Sequence, residues 1–166
     1  MNRTLFLSVL VAVILSSCSG NTQPQIEAVA VENDSTALIF PLGPKASAEK
    51  FTGTAYVNGL LPKSDSTAYA VADVVFEPGA RNNWHTHQVR QTMFVTEGRG
   101  WYQERGKKAV PLKKGDVYVI PAGVEHWHGA AADSRFVHLV ITDFQGNECV
   151  IWGEPVTDEE YNNLKN

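Results

Sequence analysis

All five histidines of the chain lie between positions 85 and 138, and their spacing is the first sign of chemistry. His85 and His87 are separated by one residue, Thr86, so on an extended strand both imidazoles project from one face. Two neutral imidazoles held that way can share a cation. Gln91 follows beyond Gln88-Val89-Arg90 and can bring an amide oxygen to the same point. His126 and His128 repeat the one-residue separation, and His138 sits in Phe136-Val137-His138-Leu139-Val140, where alternate residues take opposite faces. Imidazole nitrogen and amide oxygen suit manganese, iron, cobalt, nickel or zinc, and the absence of thiolate argues against a structural zinc site. A single strand histidine is more often a hydrogen-bonded structural residue. The pairs therefore matter only if the fold brings distant stretches together.

The elements that would do so are short strands. Ala37–Phe40, Thr54–Val57, Tyr69–Phe76, Thr92–Thr96, Trp101–Glu104, Val117–Ile120, Phe136–Thr142 and Val150–Trp152 have β-like composition. Turn residues separate them: Glu77-Pro78-Gly79, Glu97-Gly98-Arg99-Gly100, Lys114-Gly115-Asp116 and Pro121-Ala122-Gly123. Many short strands without a long helical pattern predict an all-β sandwich or barrel. One short helix is expected near the end, where Thr157 and Glu160 form a capping-box pattern with acidic residues in the first turn. The chain has 166 residues, 43% hydrophobic and 19% charged, which fits one folded domain. A net charge of −4 with no basic stripe excludes nucleic acid as a partner. Cys18 and Cys149 are the only cysteines, too few for a disulfide scaffold, and Cys149 reads as a small strand residue.

The first residues read as an address. Met1 to Thr4 carry one positive charge, and Leu5–Leu15 is apolar except for Ser8, too short to span a bilayer but suited to a secretory signal. Leu15-Ser16-Ser17-Cys18 resembles the lipobox of bacterial lipoproteins. That resemblance implies a signal peptide over 1–17 and a lipid on Cys18. It also implies a flexible tether over 18–35, a domain over 36–166, and a lipid-anchored place in the bacterial cell envelope, in the outer membrane or facing the periplasm. Several acyl chains anchor a protein stably where one is marginal.

The spacing around the histidines is more specific. Gly79, five residues, His85-Thr86-His87, three residues, Gln91, six residues and Gly98 match the first cupin motif at every interval. Gly115, five residues, Pro121-Ala122-Gly123, two residues and His126 match the second, and sixteen residues separate Gly98 from Gly115. The chain therefore resembles a cupin, a double-stranded β-helix or jelly-roll barrel, with the short C-terminal helix added. The resemblance implies metal ligation by His85, His87, Gln91 and His126. Its glycines would bend two hairpins so that these ligands converge inside one barrel. Gln91 stands where the first motif usually has glutamate, leaving the ion about one charge more positive and a better polariser of a bound oxygen. Ala130 replaces a usual asparagine that is not a ligand.

From Phe51 to Tyr161 the likeness is closer. FEPGARNNWHTHQVRQTMFVTEGRGW, GDVYVIPAGVEHWHGA, HLVI and EPVTDEEY resemble small bacterial cupins related to the manganese-dependent (R)-mandelonitrile lyases, in which glutamine is the usual fourth ligand. This implies manganese as the cofactor and a lyase acting on a small hydroxyl- or carbonyl-bearing molecule, as hydroxynitrile lyases do. His138 is placed in the pocket; His128 or His138 would move the proton, although both equally suit ligand orientation. Ala72, Val74, Phe76 and Thr142 are candidate pocket walls, with plain barrel core the other reading of the first three. Arg90 falls where the family commonly has glycine, placing a cation at the rim. Trp84, Trp101 and Trp127 are expected to pack rather than line the site, and Arg81 to be a surface or supporting residue. An iron-dependent dioxygenase and a non-catalytic small-molecule-binding cupin use the same residues and stay open here. Small cupins often pair through outer strands, so a homodimer is expected, with Ala37–Phe40 as a candidate edge.

Overall fold

The structure, a computed structural model, describes residues 38–62, 67–144 and 150–165. The expected signal peptide 1–17, Cys18 and its lipid, the tether 18–35 and Cys149 lie outside these residues.

Alternation of apolar and polar residues produces strands throughout. The first five are β1 (Phe51–Thr52), β2 (Ala55–Leu61), β3 (Tyr69–Phe76), β4 (Arg81–Asn82) and β5 (His85–His87). Then follow β6 (Gln91–Glu104), β7 (Val110–Lys113), β8 (Val117–Ile120), β9 (Glu125–Ala130), β10 (Phe136–Asp143) and β11 (Val150–Trp152). All pairings are antiparallel and close a nearly complete barrel from two sheets. One sheet runs β2-β3-β10-β6-β8. In the other, β6 pairs β7 and β9, and β9 also meets β4 and β5, which lead on to β1 and β11.

The strand β6 belongs to both sheets. The sequence predicts two strands with a turn at Glu97-Gly98-Arg99-Gly100; instead, one 14-residue strand bends there. Gly98 has φ 70°, and a β-carbon on it would lie 1.8 Å from the Arg135 carbonyl oxygen. The bend lets β6 leave β10 and join β9 without breaking its ladder, and only glycine fits it. Of the other expected bends, Gly79, Gly115 and Gly123 also have positive φ.

The strand expected over Ala37–Phe40 does not appear in its described part, Leu38–Phe40, which is bent and unpaired in any ladder. Pro41 and Pro44 follow directly, and each lacks the N–H a ladder needs.

On β10, Phe136, His138, Val140 and Thr142 face inward, while Leu139 and Ile141 between them remain half-buried on the outer face. Phe136 and Val140 of this set join Phe76, Met93, Val95, Tyr102 and Ile120 in the main core. A second cluster forms on the opposite face of β9, where Trp127 packs with Trp84, Val156 and Tyr161. Trp127 thus points away from the histidines that flank it, as alternation requires.

The helix α1 (Asp158–Asn162) closes this cluster. Thr157 caps it: its hydroxyl accepts from the Glu160 N–H at 3.1 Å, and the Glu160 carboxylate accepts from the Thr157 N–H at 2.8 Å. The Tyr161 hydroxyl donates to the Ala130 carbonyl at 2.7 Å. Arg81 is buried rather than on the surface, donating twice to the Val156 carbonyl and once to Asp158. It fastens this tail across β4 and β9.

Candidate metal centre

Register brings the site residues together. His85 lies directly opposite His126 across the β5–β9 pair, and their ring centroids are 4.2 Å apart. His87, two residues along the same face, is 5.1 Å from His85 and 5.7 Å from His126. Gln91 opens β6 opposite Thr142 on β10. The turn at Pro121-Ala122-Gly123 is tied to the strand of ligands by a bond from the Gly123 N–H to the His87 carbonyl at 2.8 Å.

The hydrogen bonds leave selected atoms without partners. Nδ1 of His85 lies 2.9 Å from the Asn83 carbonyl, and Nδ1 of His126 lies 2.9 Å from the Val124 carbonyl. A carbonyl only accepts, so each Nδ1 carries the proton and each Nε2 offers a lone pair. Gln91 Nε2 donates to Thr142 Oγ1 at 3.1 Å and sits 3.2 Å from His87 Nε2. His126 Nε2 and Gln91 Oε1 are buried with no hydrogen-bond partner among the described residues. Burial, then the neighbouring His126, holds the His85 imidazole well below its ordinary pKa, and burial also lowers His126. Both are neutral donors.

His128 stands beside them, its ring 5.6 Å from His85 and 5.9 Å from His126. Donor nitrogens of His85, His126 and His128 fall within 4.8 Å of one another. Burial, with His138 next, keeps the His128 imidazole well below its usual pKa. Behind it lies His138, edge-on at 5.0 Å and packed between Phe76 and Phe136.

A cavity of about 130 Å³ opens onto this set. Asn82, His85, His87, Gln91 and His128 form its polar wall, and Phe51, Val57, Ala72, Val74, Val140 and Trp152 its apolar one. That is smaller than the roughly 300–1,000 Å³ of drug-sized ligand sites.

The cupin domain family matches residues 72–142, the stretch holding both histidine pairs. The chain is also 44% identical over 117 residues to a protein named (R)-mandelonitrile lyase from Granulicella tundricola, covering 70% of this chain and 89% of that one. The chain belongs to the cupin family. A cupin-like protein from Thermotoga maritima is similar in structure, with a TM-score of 0.75, 46% identity, and coverage of 77% of this cupin and 97% of that protein. A DMSP lyase from Ruegeria pomeroyi shares the fold at 17% identity, with a TM-score of 0.56, over 70% of this cupin and 64% of that chain.

A divalent cation fits the donors this cupin presents. Three imidazoles and one amide converge where no hydrogen of the described residues satisfies His126 Nε2 or Gln91 Oε1, and a cation would take both lone pairs. The backbone carbonyls behind His85 and His126 fix the ring orientations, as outer partners of metal-bound histidines do.

The sequence-predicted pocket residues divide. Ala72 and Val74 line the cavity. Phe76 is fully buried in the core, one layer behind His128. Thr142 reaches the site through its bond to Gln91 rather than by lining the cavity. His138 is fully buried and is not on the cavity wall. Arg90 pairs with Asp143 at 2.9 Å, and neither lines the cavity.

Among the wall residues missing from the sequence reading, Trp152 and Asn82 touch the histidines. Trp152 stacks on His85 at 4.9 Å and 26°, because β11 pairs β5 with Trp152 opposite His85. Asn82 bonds both the backbone and the ring of His128. Neither belongs to a spaced motif. Trp152 had a signal in its strand ending, but Asn82 had none.

Proposed function

We propose that this cupin is a metal-dependent lyase that cleaves a small cyanohydrin-like or other hydroxyl-bearing molecule. The observation that carries this reading is the pair of buried acceptors without a partner among the described residues, His126 Nε2 and Gln91 Oε1, beside a cavity with one histidine-rich wall and one apolar wall. His85, His87, Gln91 and His126 would hold the ion, with manganese the proposed metal. When bound, the ion supplies Lewis-acid polarisation of a substrate oxygen. Resemblance to a relative named (R)-mandelonitrile lyase supports the choice of reaction.

The chain's own residues do the rest. Phe51, Val57 and Trp152 receive the apolar part of the substrate and exclude water. His128, neutral at pH 7, takes the proton from the substrate hydroxyl. As the oxygen becomes a carbonyl, the adjacent carbon–carbon bond breaks and its electron pair leaves with the cyanide. His128 then returns the proton to cyanide, giving hydrogen cyanide and an aldehyde or ketone with no change of oxidation state. His138 acts behind His128, holding that ring from its far edge rather than touching substrate. The lipid on Cys18, the cell-envelope location and the homodimer belong to the same proposal; mass spectrometry of the mature N-terminus and sedimentation test them.

The deciding experiment is metal-by-metal reconstitution with assay against hydroxynitriles and hydroxy acids, while oxygen is monitored. Aldehyde release dependent on manganese and lost in His128→Ala is expected. Oxygen uptake during turnover would overturn the lyase reading in favour of a dioxygenase.

A further inference from the structure

Phe51 and Trp152 meet on the apolar wall of the cavity, their ring centroids 5.9 Å apart. Each is placed by its own ladder: Phe51 opposite Asn82 in the β1–β4 pair, Trp152 opposite His85 in the β5–β11 pair. Among the described residues no ladder joins β1 to β11, so neither ladder fixes the gap between the two rings. Asn83 lies at the step from β4 to β5, between the two ladders, and is buried. Its backbone N–H donates to the Lys50 carbonyl at 2.9 Å. Its side-chain Nδ2 donates to the Glu49 carbonyl at 3.0 Å and, more weakly, to the Gly153 carbonyl at 3.4 Å. A carbonyl only accepts, so the NH2 end of the amide is the end that meets both. One of these carbonyls lies two residues before Phe51 and the other directly after Trp152. The Lys50 ammonium, 5.4 Å from the centre of the Trp152 ring, adds a second contact between the same two segments.

From these bonds we infer that Asn83 is a positioning residue that sets the gap between Phe51 and Trp152, and with it the size of apolar group the cavity admits. Its amide bridges two segments that no ladder joins. Its backbone carbonyl, 2.9 Å from His85 Nδ1, seats a proposed ligand, so that ligand and the aromatic wall share one anchor. A side chain without the amide keeps both backbone bonds and loses only the bridge. The effect on substrate choice rests on the lyase reading; the effect on the two rings does not.

Two measurements test it. Fluorine NMR of the metal-free protein carrying 5-fluorotryptophan reads the wall without turnover, with the Trp152 line assigned by its loss in Trp152→Phe. The Trp152 line is expected to shift or broaden in Asn83→Ala while the lines of Trp101 and Trp127 stay in place. An unmoved Trp152 line, or equal movement of the other two, would overturn the inference. Asn83→Ser, whose short hydroxyl reaches at most one of the two carbonyls, serves if Asn83→Ala fails to fold; the same shift is expected, and its absence overturns the inference equally. Assay of the Mn(II)-loaded proteins then compares mandelonitrile with acetone cyanohydrin. The ratio of their kcat/KM values should rise about ten-fold in favour of mandelonitrile in Asn83→Ala, chiefly through KM. Equal losses on both substrates would mark a merely structural role and overturn the claim on substrate size. Absence of turnover with either substrate in the unsubstituted protein would instead refute the lyase reading, and the fluorine spectrum would still decide the placement of the rings.

Discussion

His138 offers the sharpest quantitative test of the interior. Its ring lies 5.8 Å from Phe76 at 14° and 4.8 Å from Phe136, and neither ring nitrogen has a hydrogen-bond partner among the described residues. Burial pushes its pKa from the ordinary 6.5 down to about 3. The folded value lies below the unfolded one, so between them the unfolded chain binds a proton that the native state refuses. Stability therefore rises with pH across this interval and falls as pH drops below 6.5 towards 3. At about 1.4 kcal/mol per pH unit, with the onset rounded near the upper pKa, the loss is about 2 kcal/mol between roughly pH 6 and pH 4.5. His138→Phe keeps the shape of the ring and removes both nitrogens. Urea unfolding of the chelator-treated proteins at several pH values should show the variant losing about 2 kcal/mol less over that range. Chelation matters because cation binding has its own pH dependence. Buried His85 and His126 contribute to both proteins, and His128, relieved of its repulsion by His138 in the variant, shifts the difference in the same direction. Equal acid slopes in the two proteins would refute the argument and mean that this ring finds a proton partner in solution.

Gly98→Ala should lower stability by about 3 kcal/mol or more, through left-handed backbone strain and collision with the Arg135 carbonyl, read as a lower urea midpoint. Thr157→Ala should cost about 1 kcal/mol, seen in thermal unfolding, because the hydroxyl that accepts from the Glu160 N–H is lost while the backbone N–H at 157 still donates to the Glu160 carboxylate. Adding Mn(II) at about one hundred times its dissociation constant should stabilise the metal-free protein by about 2.7 kcal/mol. The same addition should leave His126→Ala unmoved in a thermal shift.

The sequence shows most of the barrel because inward positions alternate cleanly. Strands at Tyr69–Phe76, Val117–Ile120 and Val150–Trp152 appear with the boundaries expected. The capping box at Thr157 is equally legible, since it depends on residues three apart. What stays hidden is non-local. Gly98 looks like a turn, and only the approach of Arg135 shows that the strand continues through it. The two-residue strands β1 and β4 are too short for any periodicity to reveal them. Spacing gathers His85, His87, Gln91 and His126 into one neighbourhood, but it says nothing of Asn82, which meets His128 only across strands. It also cannot separate layers: Val74 and Phe76 alternate identically, yet one lines the cavity and the other packs behind it.

The position of β11 has a consequence for how the site is assembled. Every proposed donor precedes Val150, and the indole of Trp152 reaches His85 only when that late strand docks on β5. The donor strands β5, β6 and β9 pair among themselves without it. Phe51, the other aromatic residue of the wall, precedes every donor, so the two halves of that wall come from opposite ends of the domain. The indole thus belongs to the closing of the barrel rather than to the placing of the donors.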